Sequence, residues 1–312
     1  MRTQNAESNR TFLRPNRNRL ANQARIALAF GLAVFFSVTV SATAGKQKYG
    51  FKTITVTNDT FTQLLGINNE DHIVGYHNAT NFDGFSFTLP NHFTPENFPG
   101  AAQTQVVGIN QLNVSDGFYI DDGGTNHGFI AYKTNFTTVD HPGTIFNQLL
   151  GVNDFGQAAG YFEDTNGNFH PYVYSSNSGV FLDITVPAAV SAQATGINDS
   201  QSVCGFYIDT LGTNWGWVLS ARGSLQKLQY PGSTFTQALG INNGGVVVGF
   251  YMDSAAASHG FVYVNGHYIS VDDPNGIGTT VVNGLNNRGQ LVGFYVDSNT
   301  NTDGFLANTL VP

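Results

Sequence analysis

Six copies of one motif, spaced at nearly constant intervals, constrain the fold of this chain more than any other feature. Each copy places a Gly-Ile-Asn-like turn between two short apolar segments, and the copies are anchored at Gly66, Gly108, Gly151, Gly196, Gly240 and Gly284. Successive anchors are 42, 43, 45, 44 and 44 residues apart. A period in this range is typical of a β-propeller in which each repeat forms one four-stranded blade.

The fifth copy shows the predicted strands most clearly, over residues 234–242, 246–253, 259–264 and 267–272. The turns at 242–245 and 265–266 contain Asn and Gly, which tolerate the positive φ that tight hairpins need. Pro-Gly pairs at 99–100, 142–143 and 231–232 are suited to end a strand, because proline cannot donate to a β-ladder. The pattern therefore predicts antiparallel four-stranded blades joined by crossovers.

The two ends of the repeat region complement each other. The last copy stops after its third strand, at 303–308, while residues 49–56 resemble a fourth strand such as 180–186. We therefore predict an all-β, six-bladed β-propeller of four-stranded antiparallel blades, closed by an N-terminal strand that completes the last blade. An open β-solenoid is the alternative, but it would leave residues 49–56 without a partner.

The first 44 residues differ in composition from the rest and predict a secretory signal peptide. This leader contains six of the 13 basic residues, an apolar core over 26–40 and the small residues Ala42 and Ala44 before Gly45. The apolar core is shorter than the roughly 20 residues that a membrane span needs, although an uncleaved anchor remains an alternative. We expect residues 45–312 to form a single propeller domain that is secreted, extracellular or periplasmic, with no stable membrane span after cleavage.

The predicted propeller domain is strongly acidic and has a single cysteine. Residues 45–312 contain seven basic and 20 acidic residues, a formal charge of −13, so we expect no nucleic-acid partner. Cys204 excludes an intrachain disulfide. It occupies the slot that Val74, Ala159, Val248 and Val292 fill in other copies, which predicts a small buried hydrophobe.

Two further elements recur. The second strand carries Gly-Phe-Tyr-x-Asp at 117–121, 205–209, 249–253 and 293–297, and the third begins with His-Gly-Phe at 127–129 and 259–261. Together with Gly-Ile-Asn-x-x-Gly-x-x-Val-Gly, these elements resemble the HAF-type extracellular repeat of bacterial proteins over residues 49–308. The His-Gly-Phe element is altered in the other copies, at 83–85, 170–172, 215–217 and 303–305. The resemblance implies a bacterial, exported, propeller-like protein and supplies no catalytic residues.

The aspartate that ends the second strand is the strongest polar recurrence outside the Gly-Ile-Asn turns. We interpret it as the cap of an Asx turn; the alternative is a ring of carboxylates that binds a ligand. The candidate binding residues of this loop face, which also carries the Pro-Gly crossovers, are Asp121, His127, Asp140, His141, Asp164, Asp209, Asp253, His259 and Asp297.

Two of these loops place oxygen ligands at every second residue, a spacing with which calcium-binding loops wrap a cation. The candidate ligands are Asp164, Asn166 and Asn168 in one loop, and Asp297, Asn299, Asn301 and Asp303 in the other. Neither loop continues as an EF-hand, and Asn-rich and Asp-rich turns are ordinary hairpin chemistry. We therefore expect no cofactor, with calcium as the alternative.

No catalytic motif is present: the chain has no Gly-x-Ser-x-Gly elbow, phosphate-binding loop or dinucleotide fingerprint. We predict an exported, non-catalytic binding or structural repeat protein, acting as a monomer and recognising a protein or glycan partner through loops on one propeller face. One alternative is a secreted hydrolase or lyase on a polysaccharide-like substrate, in which His127 or His141 lies beside a carboxylate in a single pocket. The other is a calcium-stabilised adhesion module.

Overall fold

The computed structural model describes residues 49–309, which form 24 β-strands arranged as six four-stranded sheets. Each sheet is an antiparallel blade, and the first strands of the blades pack against one another around a central axis. The predicted six-bladed β-propeller is confirmed. The predicted signal peptide lies outside the described residues and stays a prediction. Residues 49–309 contain no apolar helix of the length that a membrane span requires.

The strands follow the chain in blade order, from the inner strand outwards. Blade 1 consists of β2 (Thr62–Ile67), β3 (His72–His77), β4 (Asp83–Thr88) and β5 (His92–Pro95). Blade 2 consists of β6 (Gln103–Ile109), β7 (Val114–Ile120), β8 (Asn126–Tyr132) and β9 (Asn135–Val139). Blade 3 consists of β10 (Asn147–Val152), β11 (Gln157–Glu163), β12 (Phe169–Ser175) and β13 (Val180–Asp183).

The second half repeats this order. Blade 4 consists of β14 (Ala189–Ile197), β15 (Val203–Asp209), β16 (Asn214–Leu219) and β17 (Leu225–Leu228). Blade 5 consists of β18 (Thr236–Ile241), β19 (Val247–Met252), β20 (Ser258–Val264) and β21 (His267–Val271). Blade 6 consists of β22 (Val281–Leu285), β23 (Leu291–Val296), β24 (Thr302–Thr309) and the N-terminal strand β1 (Tyr49–Ile54).

Blade 6 closes the ring as the sequence predicts. β1 pairs with β24 in an antiparallel register that runs from Tyr49 opposite Thr309 to Ile54 opposite Gly304. At the inner edge, the Nδ2 of Asn283 in blade 6 donates to the carbonyl oxygen of Leu64 in blade 1, at 2.9 Å. These contacts join the first and last blades and exclude the open solenoid.

In blade 5 the predicted first, second and fourth strands are slightly too long, and the predicted third strand begins one residue late, after Ser258. The second strand ends at Met252 rather than at residue 253, because the backbone N–H of Asp253 donates to the carbonyl oxygen of Ala257 across the loop. The first strand ends at Ile241, because Asn242 belongs to the following turn. Both residues carry turn chemistry, and their side chains are part of the candidate sites below.

The anchor glycines are the points where neighbouring blades touch. In every inner strand the register shifts immediately before the anchor, which indicates a β-bulge. A Cβ on Gly151 would lie 2.9 Å from the Cα of Gly196 in the next blade, and one on Gly284 would collide with the carbonyl oxygen of Leu65. Glycine is therefore required by close approach of the inner strands.

The glycine before each aromatic pair allows a close approach within its own blade. A Cβ on Gly249 would collide with the carbonyl oxygen of Gln237, on the adjacent strand of the same blade. The opposing backbone is the blade's own inner strand. Neighbouring blades pack through clusters of buried apolar side chains, for example Leu64 and Phe85 of blade 1 with Val292 and Leu306 of blade 6.

Candidate functional sites on the two faces of the propeller

The antiparallel order of the strands gives the propeller two chemically different ends. One end, the Asn face, carries the turns between the first and second strands and between the third and fourth strands. The other, the loop face, carries the loops between the second and third strands and the crossovers between blades. All of the candidate binding residues predicted from the sequence lie on the loop face.

On the Asn face, the asparagine of each Gly-Ile-Asn-like turn joins two blades. The Oδ1 of Asn242 accepts the backbone N–H groups of Gly244 and Val246, both at 3.0 Å, and so caps its own turn. Its Nδ2 donates to the carbonyl oxygen of Asn286 in the next blade, at 3.1 Å. The same link between blades recurs around the axis and forms a closed ring of six residues: Asn68, Asn110, Asn153, Asn198, Asn242 and Asn286.

A second closed ring lies beside the first. The residue after each of these asparagines donates its backbone N–H to the side-chain oxygen of the equivalent residue in the next blade. The members are Asn69, Gln111, Asp154, Asp199, Asn243 and Asn287. Every copy therefore needs a side-chain oxygen at this position, and Asn, Gln and Asp all supply one. The repeated Gly-Ile-Asn turns are therefore part of the architecture, because they join the blades to one another.

These rings surround a small concave funnel at the axis that is open to solvent. Residues of both rings line it, among them Gln111, Asp154, Asp199, Asn243 and Asn287. The aliphatic residues that precede the ring asparagines, such as Ile67, Val152 and Ile197, are buried in the hydrophobic cores. Burial raises the pKa of Asp154, and the nearby carboxylate of Asp199 raises it further. Sequence reasoning missed this funnel, although one signal was available: only two neighbouring copies have an acid after the asparagine.

On the loop face, the predicted Asx turns are present. The Oδ1 of Asp253 accepts the backbone N–H groups of Ala255 and Ala257, at 2.8 and 2.9 Å. Asp121, Asp164, Asp209 and Asp297 cap their own loops in the same way. The pKa of Asp164 is lowered, first because the N–H of Asn168 donates to the carboxylate and then because His170 does. The structure does not bring the five aspartates together, because each serves its own blade.

In four of these five loops, the second carboxylate oxygen of the aspartate contacts the second residue of the third strand, namely His127, His170, Trp215 or His259. In blade 5, the Nε2 of His259 lies 3.5 Å from the Oδ2 of Asp253, and its Nδ1 lies 2.9 Å from the Oδ1 of Asp272. The hydrogen bond to Asp272 raises the pKa of His259. The His259 ring also stacks on Tyr251 of the second strand. His259 is thus a positioned, carboxylate-flanked histidine.

The same arrangement occurs in blade 2, where His127 lies between Asp121 at 3.5 Å and Asp140 at 2.8 Å. Blades 2 and 5 are on opposite sides of a six-membered ring, so the two flanked histidines do not share a pocket. In blade 4 a tryptophan takes the histidine position, and the Nε1 of Trp215 donates to the Oδ2 of Asp209 at 2.9 Å. The arrangement is therefore a variable part of the repeat.

Asp140 and His141 are consecutive but serve different blades. Asp140 contacts His127 in blade 2. The His141 ring stacks on Phe162 in blade 3, with ring centroids 4.2 Å apart. The Nε2 of His141 lies 3.0 Å from the Oδ1 of Asp183. The Oδ1 of Asp140 and the Nδ1 of His141 are buried and have no hydrogen-bond partner among residues 49–309. This junction is the least symmetric part of the loop face.

The two candidate calcium loops are closed by their own hydrogen bonds. In the Asp297 loop, the backbone N–H groups of Asn299 and Asn301 donate to Oδ1, and the Nδ2 of Asn301 donates to Oδ2 at 3.1 Å. In the part of the chain that the structure describes, no group of three or more His, Cys, Asp or Glu side chains is arranged to hold a metal ion. Calcium stays the alternative to the prediction of no cofactor, and the effect of a chelator on the melting temperature would test it.

Charge is distributed unequally between the faces. Of the 20 acidic residues, four lie in Asn-face turns (Glu70, Asp71, Asp154 and Asp199), Asp116 is buried in β7, and the other fifteen lie in or beside the loops of the loop face. Within residues 49–309, the loops of that face contain no lysine or arginine. The three most exposed large apolar side chains are also there, namely Leu211 at 88%, Ile145 at 84% and Ile277 at 72% exposure.

One buried acid was missed by the sequence analysis. Cys204 is fully buried, as predicted, and burial raises the pKa of its thiol to about 12. Asp116 occupies the same slot in blade 2, opposite Gly108, and is also fully buried. Burial raises its pKa to about 8, and the backbone N–H groups of Gly108 and Gly151 offset only part of this effect. Its position in the repeat, among Val, Ala and Cys, is the signal that would have found it.

Comparison with known proteins supports the fold alone. No protein-family model matches the chain, and no curated protein matches it either. Among solved structures, a putative TolB from Agrobacterium tumefaciens is similar with a TM-score of 0.60 and 12% identity, over 86% of this chain and 100% of that one. An AofleA mutant from Arthrobotrys oligospora gives a TM-score of 0.51 and 10% identity, over 86% and 92%. TolB from Acinetobacter baumannii gives 0.53 and 10%, over 76% and 64%.

Proposed function

We propose that this protein is an exported, non-catalytic binding protein of the HAF-repeat type, whose loop face engages a protein or glycan partner. The difference between the two faces supports this proposal. The repeated polar side chains of the Asn face are used in the two rings between blades, whereas the loop face concentrates acidic charge and the most exposed apolar side chains, Leu211, Ile145 and Ile277.

The charge of the loop face favours a partner with basic groups. A face with many carboxylates and no lysine or arginine in its loops attracts cations and repels anionic polymers. A basic protein segment and an amino-sugar glycan both fit this requirement. Because the capping aspartates are exposed, their attraction to a partner would be screened by salt, with a Debye length of about 10 Å at 0.1 M.

Retention on immobilised lysine-rich peptide and on immobilised chitosan, measured at increasing salt, tests the proposal. The variant Asp121→Asn, Asp253→Asn, Asp297→Asn removes three charges from the loop face and keeps the Oδ1 acceptors that cap the loops. The matched control Glu70→Gln, Asp154→Asn, Asp199→Asn removes three charges from the Asn face. We expect only the loop-face variant to elute at lower salt. Equal loss in both variants, or no retention of the wild type, would contradict the proposal.

Export is tested separately, by sequencing the N-terminus of the protein recovered from a bacterial periplasm or culture medium. A mature chain that begins at Gly45 is the expected result, because the small residues before it match a signal-peptidase site. A chain that retains its leader would contradict cleavage.

A further inference from the structure

We propose that the seam between blades 2 and 3, the surface along which these two blades pack, is a pH-sensitive joint of the propeller. It is closed while Asp116 is protonated and opens locally when this carboxyl group loses its proton. The inference concerns the ring itself and does not depend on the function proposed for the loop face. It rests on the position of Asp116, on the buried polar atoms of this seam and on the lack of a compensating cation.

Asp116 lies at the point where the inner strands of blades 2 and 3 touch. A Cβ on Gly108 of blade 2 would collide with the Oδ1 of Asp116 and lie 2.8 Å from the Cα of Gly151 in blade 3. In the other five seams, an apolar side chain fills the equivalent slot and belongs to a core cluster that spans two blades. These side chains are Val74, Ala159, Cys204, Val248 and Val292. The seam between blades 2 and 3 therefore has a carboxyl group where every other seam has apolar packing.

This seam also concentrates buried polar atoms that have no hydrogen-bond partner. Among residues 49–309 there are eight such side-chain atoms, and four lie here: both carboxyl oxygens of Asp116, the Oδ1 of Asp140 and the Nδ1 of His141. The backbone N–H groups of Gly108 and Gly151 favour the charged form of Asp116, but burial outweighs them. A buried carboxylate without firm hydrogen bonds is costly, whereas water that enters an open seam would solvate it.

No cation in the two blades is placed to compensate the charge. The inner strands β6 and β10 carry no titratable side chain. The titratable side chains that face Asp116 from β12 and from the crossover are Tyr172, Tyr174, Asp140 and His141. Burial raises the pKa of Tyr172, and Asp140 and Asp116 raise it further. Lys133 is the only lysine or arginine of blades 2 and 3, and it lies in an exposed turn. Water is thus the only available stabiliser of the ionised carboxyl.

Burial also sets the direction of the pH effect. It raises the pKa of Asp116 to about 8, whereas solvation in the open seam would return the pKa towards the ordinary value of 3.8. The closed seam is therefore most favoured below pH 4, and this preference is lost as the pH rises to 8. Within this range, the equilibrium constant for opening should increase by up to about tenfold for each pH unit.

Labelling of buried thiols tests the proposal, because Cys204 already reports on the seam between blades 4 and 5. The variant Ala158→Cys, Cys204→Val moves the single thiol to the seam between blades 2 and 3, where Ala158 packs with Val139. The reaction of each thiol with a methanethiosulfonate reagent is compared with that of a free thiol at the same pH, so that only opening is measured. We expect the thiol of the variant to react at least tenfold faster than Cys204 at pH 8. The ratio of the two rates should fall by at least tenfold at pH 5.5.

Adding Asp116→Val to the Ala158→Cys, Cys204→Val variant isolates the carboxyl group. Valine fills this slot in three other copies, and we expect it to slow labelling to the rate of Cys204 at both pH values. Hydrogen exchange of the wild type gives the same comparison without a substitution: β7 and β10 should lose more protection between pH 5.5 and pH 8 than β15 and β18. Equal rates for the two thiols at pH 8, or a rate that Asp116→Val leaves unchanged, would overturn the proposal.

Discussion

Asn242 on the Asn face and Asp253 on the loop face each cap a turn through Oδ1, but the second polar atom of the two side chains differs. Both side chains use Oδ1 to accept two backbone N–H groups of a following turn. The remaining atom of Asn242 is a donor, and it reaches a carbonyl oxygen of the next blade. The remaining atom of Asp253 is an acceptor, and it faces a histidine of its own blade.

This difference explains why one face is uniform and the other varies. A bond to a neighbouring carbonyl oxygen requires a donor, so an amide is needed in all six copies, and breaking one link opens a closed ring. A carboxylate that contacts its own blade can pair with the ring N–H of either a histidine or a tryptophan, as at His259 and Trp215. The symmetric face therefore stabilises the ring, and the variable face is available for binding.

The largest expected effect is on ring closure, in the variant Gly284→Ala. The new Cβ would collide with the carbonyl oxygen of Leu65, which is backbone and cannot turn aside. We expect the variant to fold poorly or to lose more than about 4 kcal/mol, as overpacking against backbone does in the severe cases. Urea denaturation and the yield of soluble protein measure it.

The control is Gly244→Ala, in a turn of the same face. Its nearest atom is the Oδ1 of Asn242, at 3.3 Å, and its φ is not in the left-handed region. We expect a loss below about 1 kcal/mol. Similar losses for Gly244 and Gly284 would mean that glycine at the anchor is not required by contact between blades.

The next effect concerns the first ring. Asn242→Ala removes two capping bonds and the bond to blade 6 from a buried side chain, and we expect a loss of about 3 kcal/mol. Asn242→Asp keeps the cap but places an oxygen against the carbonyl oxygen of Asn286, so it should be no more stable than the alanine variant. Thermal and urea denaturation measure both. An aspartate variant close to the wild type would contradict the need for a donor.

The third prediction is a gain in stability. It concerns Asp116, the buried carboxyl in the slot that Val, Ala or Cys fills in other copies. The pKa of this carboxyl rises from 3.8 in the unfolded chain to about 8 in the fold, so the folded state favours the protonated form. The contribution of Asp116 to folding stability is therefore most favourable below pH 4 and is lost as the pH rises towards 8. Asp116→Val restores the residue of three other copies, and at pH 7 we expect a gain of about 3 kcal/mol.

The pH dependence provides the control for this variant. The difference in the free energy of unfolding between Asp116→Val and the wild type should grow from pH 4 to pH 8 and then level off, because the valine does not titrate. Urea denaturation at pH 5, 7 and 8.5 measures it. A constant difference across this range would show that Asp116 is not a buried titrating carboxyl.

The sequence predicted the blades, the closing strand and the Asx turns because each depends on local rules that repeat six times. Turn residues, alternation and spacing identify a hairpin wherever they occur, and the short last copy indicates which strand must close the ring. The rings on the Asn face were not foreseen as closed rings. Their bonds join residues 42 or more positions apart, and only the placement of the blades shows that Asn68 and Asn286 meet.

The funnel was missed for a related reason. Repetition of Asn242 and its neighbours in the sequence indicates a structural role for each turn by itself. The cavity forms only where the repeated turns converge on the axis. The acids Asp154 and Asp199 differ from the other copies by one side-chain atom, so only their proximity across blades makes the charge distinctive. The contacts of His141 with blade 3 were likewise not foreseeable, because they depend on the direction that the crossover takes.

The smallest expected effect is on the loop face. Asp253→Ala removes two capping bonds from an exposed loop, and we expect a loss of about 1 kcal/mol, well below that of Asn242→Ala although the cap is the same. Asp253→Asn keeps the cap and loses only the charge near His259. Because the pKa of His259 is raised in the fold, its ion pairs contribute below the ordinary histidine pKa and are lost as the pH rises through the folded value. The loss of stability in the asparagine variant should therefore be about 0.5 kcal/mol greater at pH 5 than at pH 8.5. Thermal denaturation at the two pH values measures this, and a loss as large as that of Asn242→Ala would remove the distinction between the faces.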